Sequence, residues 1–430
     1  MKEVYELIKQ HDTIKYRKLM DYYLGKSPIT LRYREDHKPN NKIVSSFAIN
    51  AVDTVVGYFM GKPVSYTAED FDKYQEILSM NDEQEVNAEH AKQVAVKGKS
   101  YEMLWTDEES NLRFAQLNPE NVIIEYDDSL IPRIKRAVVY YYDSDDKGNR
   151  CCHYTVYEPG TFIEKEYKQE GSNDPVLVDE RPLIFSEIPI VEYSANSDCT
   201  GLFEKATSII DAYEQSVSDT ANDLEYFTDA YLWLPGFGGY DPESEDDVNK
   251  LADMRNNKVF LPTDTQNNND KPDFIVKQIN DTATENHKDR LKDEIHKMLN
   301  IPDLSDENFA GTQSGVSMKF KLWGLENICS TFERRFKKSL QKRLRLIDEY
   351  LTMKGNTTDS ADIQISFSRN LPDNTVEMAE LVEKLRSLIS DRTLLSWIDR
   401  VDDPERELER RQDEMDSMID LDNFGEEEGE

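Results

Sequence analysis

Residues 201–231 read GLFEKATSIIDAYEQSVSDTANDLEYFTDAY. Apolar side chains recur at Leu202, Ala206, Ile209, Ile210, Tyr213, Val217, Ala221, Leu224, Phe227 and Tyr231, and no Pro or Gly interrupts them after Gly201. That three-and-four spacing predicts one helix over 202–231. At 1.5 Å per residue it would run for about 45 Å. Its other faces carry Glu204, Asp211, Glu214, Asp219, Asp223, Glu225 and Asp229 against the single cation Lys205. A helix this long, with one apolar stripe and an acidic back, packs against neighbours in a bundle or a ring.

The flanks extend this pattern. Residues 232–279 are irregular apart from two β-like runs at 258–261 and 274–279, and a second helix is expected from about Ala283 to Leu299. The order predicts two helices carrying a small module at their tip. Asn300–Gly315, NIPDLSDENFAGTQSG, has two glycines, a proline and no helical period, so it reads as a loop. A further long helix is predicted from Val316 to about Lys354, with Val316, Phe320, Trp323, Ile328, Phe332, Phe336, Leu340, Leu344, Ile347 and Leu351 on its buried face.

Before this helical half, residues 100–191 break into short runs rich in β-branched and aromatic residues, among them YEMLWTD, NVIIEYDD and RIKRAVVYYYD, separated by turn residues. They predict one antiparallel sheet of about six strands with helices on one side, an α+β arrangement. Helices are expected over 1–23, 43–66 and 82–97, and a strand over 363–368. Further helices are expected at about 377–389 and 394–398, before an acidic tail ending EEEGE.

Charge narrows the function. The 430 residues hold 52 Lys+Arg and 86 Asp+Glu, a formal net charge of −34. Duplex DNA is gripped by neutralising its phosphates, so this balance argues against a general DNA binder: the acidity either holds DNA off or merely keeps the chain soluble. No run approaches the roughly 20 apolar residues that span a bilayer, and the N-terminal stretch lacks the apolar core of a signal peptide. Cys151, Cys152, Cys199 and Cys329 form no C-x-x-C, so a disulfide framework or zinc site is not expected.

Enzyme motifs fail one by one. Gly98-Lys99-Ser100 ends like a phosphate-binding loop, but Gln93 stands where its first glycine belongs. Asp143–Gly148 opens like a calcium loop, yet its twelfth position is Tyr154 instead of Glu. The six histidines make no H-E-x-x-H, and Cys152 and His153 point to opposite strand faces. No catalytic residue, metal or cofactor is expected. The acid-free run Arg334–Arg345 reads either as a nucleic-acid contact or as a cation store paired with the chain's own acids, such as those of 202–231. Abundant internal carboxylate favours the second.

In this order, NKIVSSFAINAVDTVVGYFMGKPVSY, VAVKGKSYEMLW with LNPENVIIEYDD, PIVEY with GLFEKATSIIDAYEQSVSDTANDLE, and IPDLSDENFAGTQSGVSMKFKLWGLE resemble the portal proteins of tailed double-stranded-DNA phages. The likeness is to the siphovirus-type subgroup of Gram-positive hosts and covers about residues 20–400. It implies a portal-type α+β subunit with an α+β wing (1–200 and 316–374), stem helices (201–231 and 281–299), a small α/β clip (232–280), a tunnel loop (300–315) and a helical crown with the acidic tail (375–430). It also implies a homo-oligomeric ring, typically dodecameric, at one capsid vertex of the virion. The implied partners are the terminase large subunit, a head-completion or connector protein, the major capsid and scaffolding proteins, and double-stranded DNA passing without sequence specificity.

By this resemblance the tunnel-loop residues are Asp303, Leu304, Ser305, Asp306, Glu307, Asn308, Phe309 and Gln313. Asp211, Glu214, Asp223 and Glu225 would line the channel, and Trp233, Phe237 and Tyr240 would face terminase and connector. The rival reading is an acidic helical scaffold or adaptor of virion assembly without a DNA channel.

Overall fold

The computed structural model describes residues 2–228 apart from 36–37, 69–70, 131, 145–149, 161–162 and 171–173. Beyond these it describes 231–233, 246, 249, 253, 259–260, 273–275, 281–303, 319–370 without 357, 380–395 without 381, and 398, 407–408 and 410–412. The chain divides into two compact units, residues 1–313 with 317–370 and residues 314–316 with 371–430.

In the first unit the N-terminal region forms two helices, α1 (Lys2–Gln10) and α2 (Ile14–Tyr23), where the sequence predicted one. His11 sits at the break, its Nδ1 2.7 Å from the Tyr140 hydroxyl. Helix α3 (Phe47–Met60) is shorter than the expected 43–66, and α4 (Asp72–Met80), which the sequence reading missed, precedes α5 (Glu83–Lys97). Gly98 ends α5 with φ +82°, and a Cβ there would lie 2.2 Å from the Cys199 carbonyl oxygen, so only glycine fits. Lys99 then opens a strand, so Gly98-Lys99-Ser100 runs helix to strand, the reverse of a phosphate-binding loop.

The single sheet predicted for 100–191 is two sheets. Strands β2 (Lys99–Thr106), β3 (Leu112–Leu117) and β9 (Ile190–Ser194) make one, in the order β3-β2-β9. Strands β4 (Val122–Tyr126), β5 (Ile134–Ser144), β6 (Arg150–Tyr157), β7 (Ile163–Glu170) and β8 (Val176–Pro182) form an antiparallel meander. The reading overlooked β8 because VLVDERP lies at an edge, nearly all exposed, and shows no apolar alternation. A short pair, β1 (Ser65–Thr67) with β13 (Gln364–Ser366), ties the end of this unit to its beginning.

Helix α6 (Thr207–Thr228) begins later and ends earlier than predicted. Tyr231 instead enters β10 (Tyr231–Trp233), which pairs parallel with β11 (Val259–Phe260) and antiparallel with β12 (Asp273–Ile275). Helix α7 (Asp281–Leu299) runs back beside α6, and α8 (Trp323–Met353) crosses the body. Its buried face holds Leu325, Cys329, Phe332, Phe336, Leu340, Leu344, Ile347 and Leu351. Phe320 and Trp323, assigned to that face, are 76% and 64% exposed. In the second unit α9 (Asp391–Leu395) buries Leu394, and Asp391 pairs with Arg411 at 3.1 Å.

Arg343 falls on the buried face of α8 and is fully enclosed. Its Nε donates to Glu102 Oε1 at 2.8 Å and its Nη2 to Glu102 Oε2. Its Nη1 donates to Asn87 Oδ1 at 2.9 Å and Glu83 Oε1 at 3.1 Å. Phe114 lies under the guanidinium, 4.6 Å from ring centre to Cζ. One side chain thus joins α8, α5 and β2. Lys342 beside it donates to the Ile190 carbonyl at 2.7 Å, and its burial lowers its pKa to about 8. The basic run is therefore partly a cation store for the chain's own carboxylates, although the partners are Glu83, Glu102 and Glu333 and not the 202–231 helix.

A second seam seats α6. Its buried positions are Ile210, Glu214, Ser218 and Asn222, following Ala206 in the turn before it, so the covered stripe turns polar along the helix, while Leu224 of the predicted apolar stripe is 56% exposed. The backbone N–H groups of Asn41, Ile43 and Ser45 donate to Asn222 Oδ1 (2.7 Å), Ser218 Oγ (2.9 Å) and Glu214 Oε1 (2.9 Å). Four helical residues rise about 6 Å and two extended residues about 6.6 Å, so alternate N–H groups meet every fourth helix residue. The match keeps 40–45 extended, which is why α3 starts at Phe47 and not at Ile43.

Three outcomes are expected. Arg343→Met strands two buried carboxylates and should cost about 3–5 kcal/mol of unfolding free energy in urea titration. Burial opposes the Glu102 charge, but Arg343 and the His90 hydrogen bond outweigh it and hold its pKa at about 2. A depressed carboxylate pKa stabilises above the unfolded value of 4.5 and loses that contribution as pH falls toward 2. Acid titration should show this loss in the native chain, and it should be smaller in Arg343→Met. Asn222→Leu leaves a buried N–H without an acceptor and should cost about 1–3 kcal/mol, with faster proteolytic cleavage between residues 32 and 45.

Candidate functional site

Helices α6 and α7 lie antiparallel. The groove between them has a volume of 570 Å³ and is lined on one side by Ser216, Asp219 and Asp223 and on the other by Ala283, Thr284 and His287. Near the opposite end of the pair, Phe47 packs edge-on against both Tyr213 (5.1 Å) and His296 (5.7 Å). The strands β10, β11 and β12 stand in the chain between the two helices, as the helix–insertion–helix order predicted.

The four stem acids do not share one face. Glu214 is 2% exposed, its carboxylate taking Ser27 Oγ on one oxygen and the Ser45 N–H and Oγ on the other. Its assignment to a channel lining is corrected: the N-terminal segment covers it. Asp211 accepts the Tyr22 hydroxyl at 2.6 Å, and Glu225, though exposed, accepts Asn41 Nδ2 at 2.8 Å. Only Asp223 lies in the groove beside α7.

Asp219 and Glu204 are likewise committed, and Asp229 lies outside the described residues. Asp219 takes Arg32 at 2.8 Å and Arg34 at 2.7 Å, and Glu204 takes Lys15 at 2.9 Å. Of the exposed positions of α6, Ser208, Ala212, Gln215 and Leu224 are uncharged and Glu225 is acidic, so the acidic back expected from the helical wheel is only partly the solvent face.

Of the tunnel-loop residues, Asp303 is described. It forms an ion pair with Lys292 of α7 at 2.6 Å, with His296 Nε2 3.9 Å away. The hydrogen bond to Asp303 raises the Lys292 pKa. His296 Nδ1 meets the Ile301 carbonyl oxygen at 3.1 Å, so the first turn after α7 is pinned back onto the helix. Leu304, Ser305, Asp306, Glu307, Asn308, Phe309 and Gln313 lie outside the described residues, as do Phe237 and Tyr240. Trp233 is in β10, opposite Asp273 and Phe260.

One arrangement that sequence reasoning missed has the distances of a nucleophilic triad. His90 Nδ1 is 2.9 Å from Ser100 Oγ, and its Nε2 is 3.0 Å from Glu102 Oε2. All three residues are 0% exposed, Tyr193 stacks on the imidazole at 4.1 Å, and Arg343 holds the Glu102 charge. A group that no substrate can reach performs no acyl transfer. Burial also lowers the His90 pKa, which keeps the ring neutral. The signal that could have found this cluster is a cation on an apolar stripe: Arg343 sits three residues after Leu340 and four before Ile347. Among the described residues no group of His, Cys, Asp or Glu could hold a metal ion, and no helix is long and apolar enough to cross a membrane.

Comparison with known proteins gives a consistent result. Over 423 residues the chain is 26% identical to the portal protein of Clostridium phage phiCD119, covering 90% of each. Over 446 aligned positions it is 22% identical to the portal protein of Bacillus phage SPP1, covering 97% of this chain and 87% of that one. An HK97 family phage portal protein from Corynebacterium diphtheriae superposes with a TM-score of 0.37 at 11% identity, over 74% of this chain and 91% of its own. The family model described as phage portal protein, SPP1 Gp6-like, matches residues 3–419. The expectation drawn from the four quoted segments is thereby met, and the chain belongs to the SPP1 Gp6-like family of phage portal proteins.

Proposed function

We propose that copies of this chain close into a ring, typically of twelve, at one capsid vertex, and that double-stranded DNA passes through the bore during packaging and ejection. The observation that carries this reading is the family match across residues 3–419, which leaves only short ends unmatched. In this reading α6 and α7 are the stem, 232–280 the clip that meets terminase and then the connector, and 300–315 the tunnel loop. Residues 1–200 with 316–374 form the wing, beside the capsid and scaffolding proteins, and 375–430 form the crown. The subunit is then a structural part of the virion, and the energy of translocation comes from the terminase.

Pairing within the chain lowers the free charge of one stem helix but not of the other. Asp211, Glu214 and Asp219 of α6 are engaged by the N-terminal segment, while Asp289 and Asp293 of α7 are exposed. Asp306 and Glu307, with Asp303 at the hinge, repeat around the ring and repel the phosphates at the narrowest place. Screening confines that repulsion to about 8 Å at physiological salt, so it acts where the wall is closest to the duplex.

Symmetry-averaged electron microscopy of the purified chain should show rings with a central hole; solid assemblies or monomers would favour the scaffold reading. Replacing Asp303, Asp306 and Glu307 together by Lys should leave ring assembly intact and slow or arrest packaging in a terminase-driven assay, whereas packaging at the native rate would remove the loop from the mechanism. A clean preparation should hydrolyse no ATP.

A further inference from the structure

The first unit contains a second concavity, which the channel reading does not use. A pocket of 630 Å³ opens between α1 and α2, the last turns of α5, the 118–121 turn and strands β5 and β6. Its charge is the reverse of the chain average. Lys9, Arg17, Lys97 and Arg150 line it against one carboxylate, Glu120, in a chain of net charge −34.

Two of these cations are engaged. Lys97, 3% exposed, holds Glu120 at 2.8 Å, and Lys9 pairs with Glu6 at 2.7 Å. Among the described residues Arg17 and Arg150 have no carboxylate partner. The Arg150 guanidinium lies over the Tyr142 ring, 3.8 Å from its centroid, which fixes its plane and leaves its N–H edge open. Gln93, which also lines the pocket and is 6% exposed, donates Nε2 to Glu89 at 3.0 Å, while its buried Oε1 has no hydrogen-bond partner among the described residues. That bond sets the amide's orientation, because a flip would turn two oxygens toward each other.

We propose that this pocket binds a phosphate monoester of nucleotide size. Two unpaired guanidiniums suit a phosphate, which accepts parallel N–H bonds. The volume is within the roughly 300–1,000 Å³ of pockets that enclose small organic ligands and far exceeds what a bare oxyanion fills. Ile8 and Met20 supply apolar wall for the organic part. This site goes beyond the channel reading and does not depend on it.

The test is calorimetric titration of the full chain with AMP, inorganic phosphate and citrate. One AMP per chain should bind saturably, at least about tenfold tighter than phosphate or citrate. Arg17→Ala with Arg150→Ala, both exposed and removable without loss of fold, should weaken AMP by about tenfold or more at unchanged melting temperature. Arg17→Lys, which keeps the charge and loses the planar fork, should recover only part of the loss. No saturation by about 10 mM AMP, equal affinity for AMP and phosphate, or unaltered AMP binding in the double variant would each overturn the proposal. Ring formation is read separately by microscopy, so a chain that forms rings without binding AMP, or the reverse, separates the two readings.

Discussion

The guanidinium of Arg343 is the tie on which the body of this subunit depends. It emerges from the middle of α8 and meets, without solvent, carboxylates from α5 and β2 that are distant from it in sequence. A buried ion pair of this kind adds little net stability over a well-packed apolar core, but removing one partner is costly. Its effect is selective: only one rotation and one sliding position of α8 bring Arg343 onto both Glu83 and Glu102. The aromatic layer follows from that register, with Phe336 against Phe59 at 5.3 Å and against Tyr193 at 5.2 Å. Arg369, paired with Glu326 and Glu333 at 2.9 Å, fastens the returning chain to the other half of the helix.

A second constraint acts on α6. Residues 40–45 are extended but join no sheet, so their N–H groups need acceptors. The helix supplies Glu214, Ser218 and Asn222 at the matching interval, and Arg32 and Arg34 answer Asp219 alongside. Part of the acidity that a helical wheel places in solvent is therefore paired within the chain, and Glu214 is buried outright. This changes how the net charge of −34 should be understood, since a charge held by its own chain does little to a passing polyanion.

Much of the architecture was legible in the residues. The turn-separated runs of 100–191 became strands, and the insertion between two long helices became a small sheet, because alternation and breakers act locally. The split into two sheets was not legible, since pairing is chosen by distant partners: β2 takes β9 across almost the full span of the region. Strand β8 was missed because an exposed edge needs no apolar face. In the candidate site, Asp303 lies at the foot of α7, as its loop position suggested, while Glu214 proved to be an internal acceptor. Polarity alone cannot distinguish a carboxylate facing water from one facing backbone N–H groups.

By itself the sequence determined the class of the molecule: a mixed α+β chain, two helices flanking a small insertion, and the four segments that mark it as a portal protein. Those features rest on periodicity, on chain breakers and on residue order, all of which survive without coordinates. Tertiary structure alone decided which charges are free and which are spent. Whether Arg343, Asp219 or Glu214 faces solvent depends on what lies opposite, and in this chain the opposing groups are 169 to 260 residues away in sequence. Electrostatic function is decided by that pairing, because a charge neutralised at about 3 Å contributes little beyond its partner.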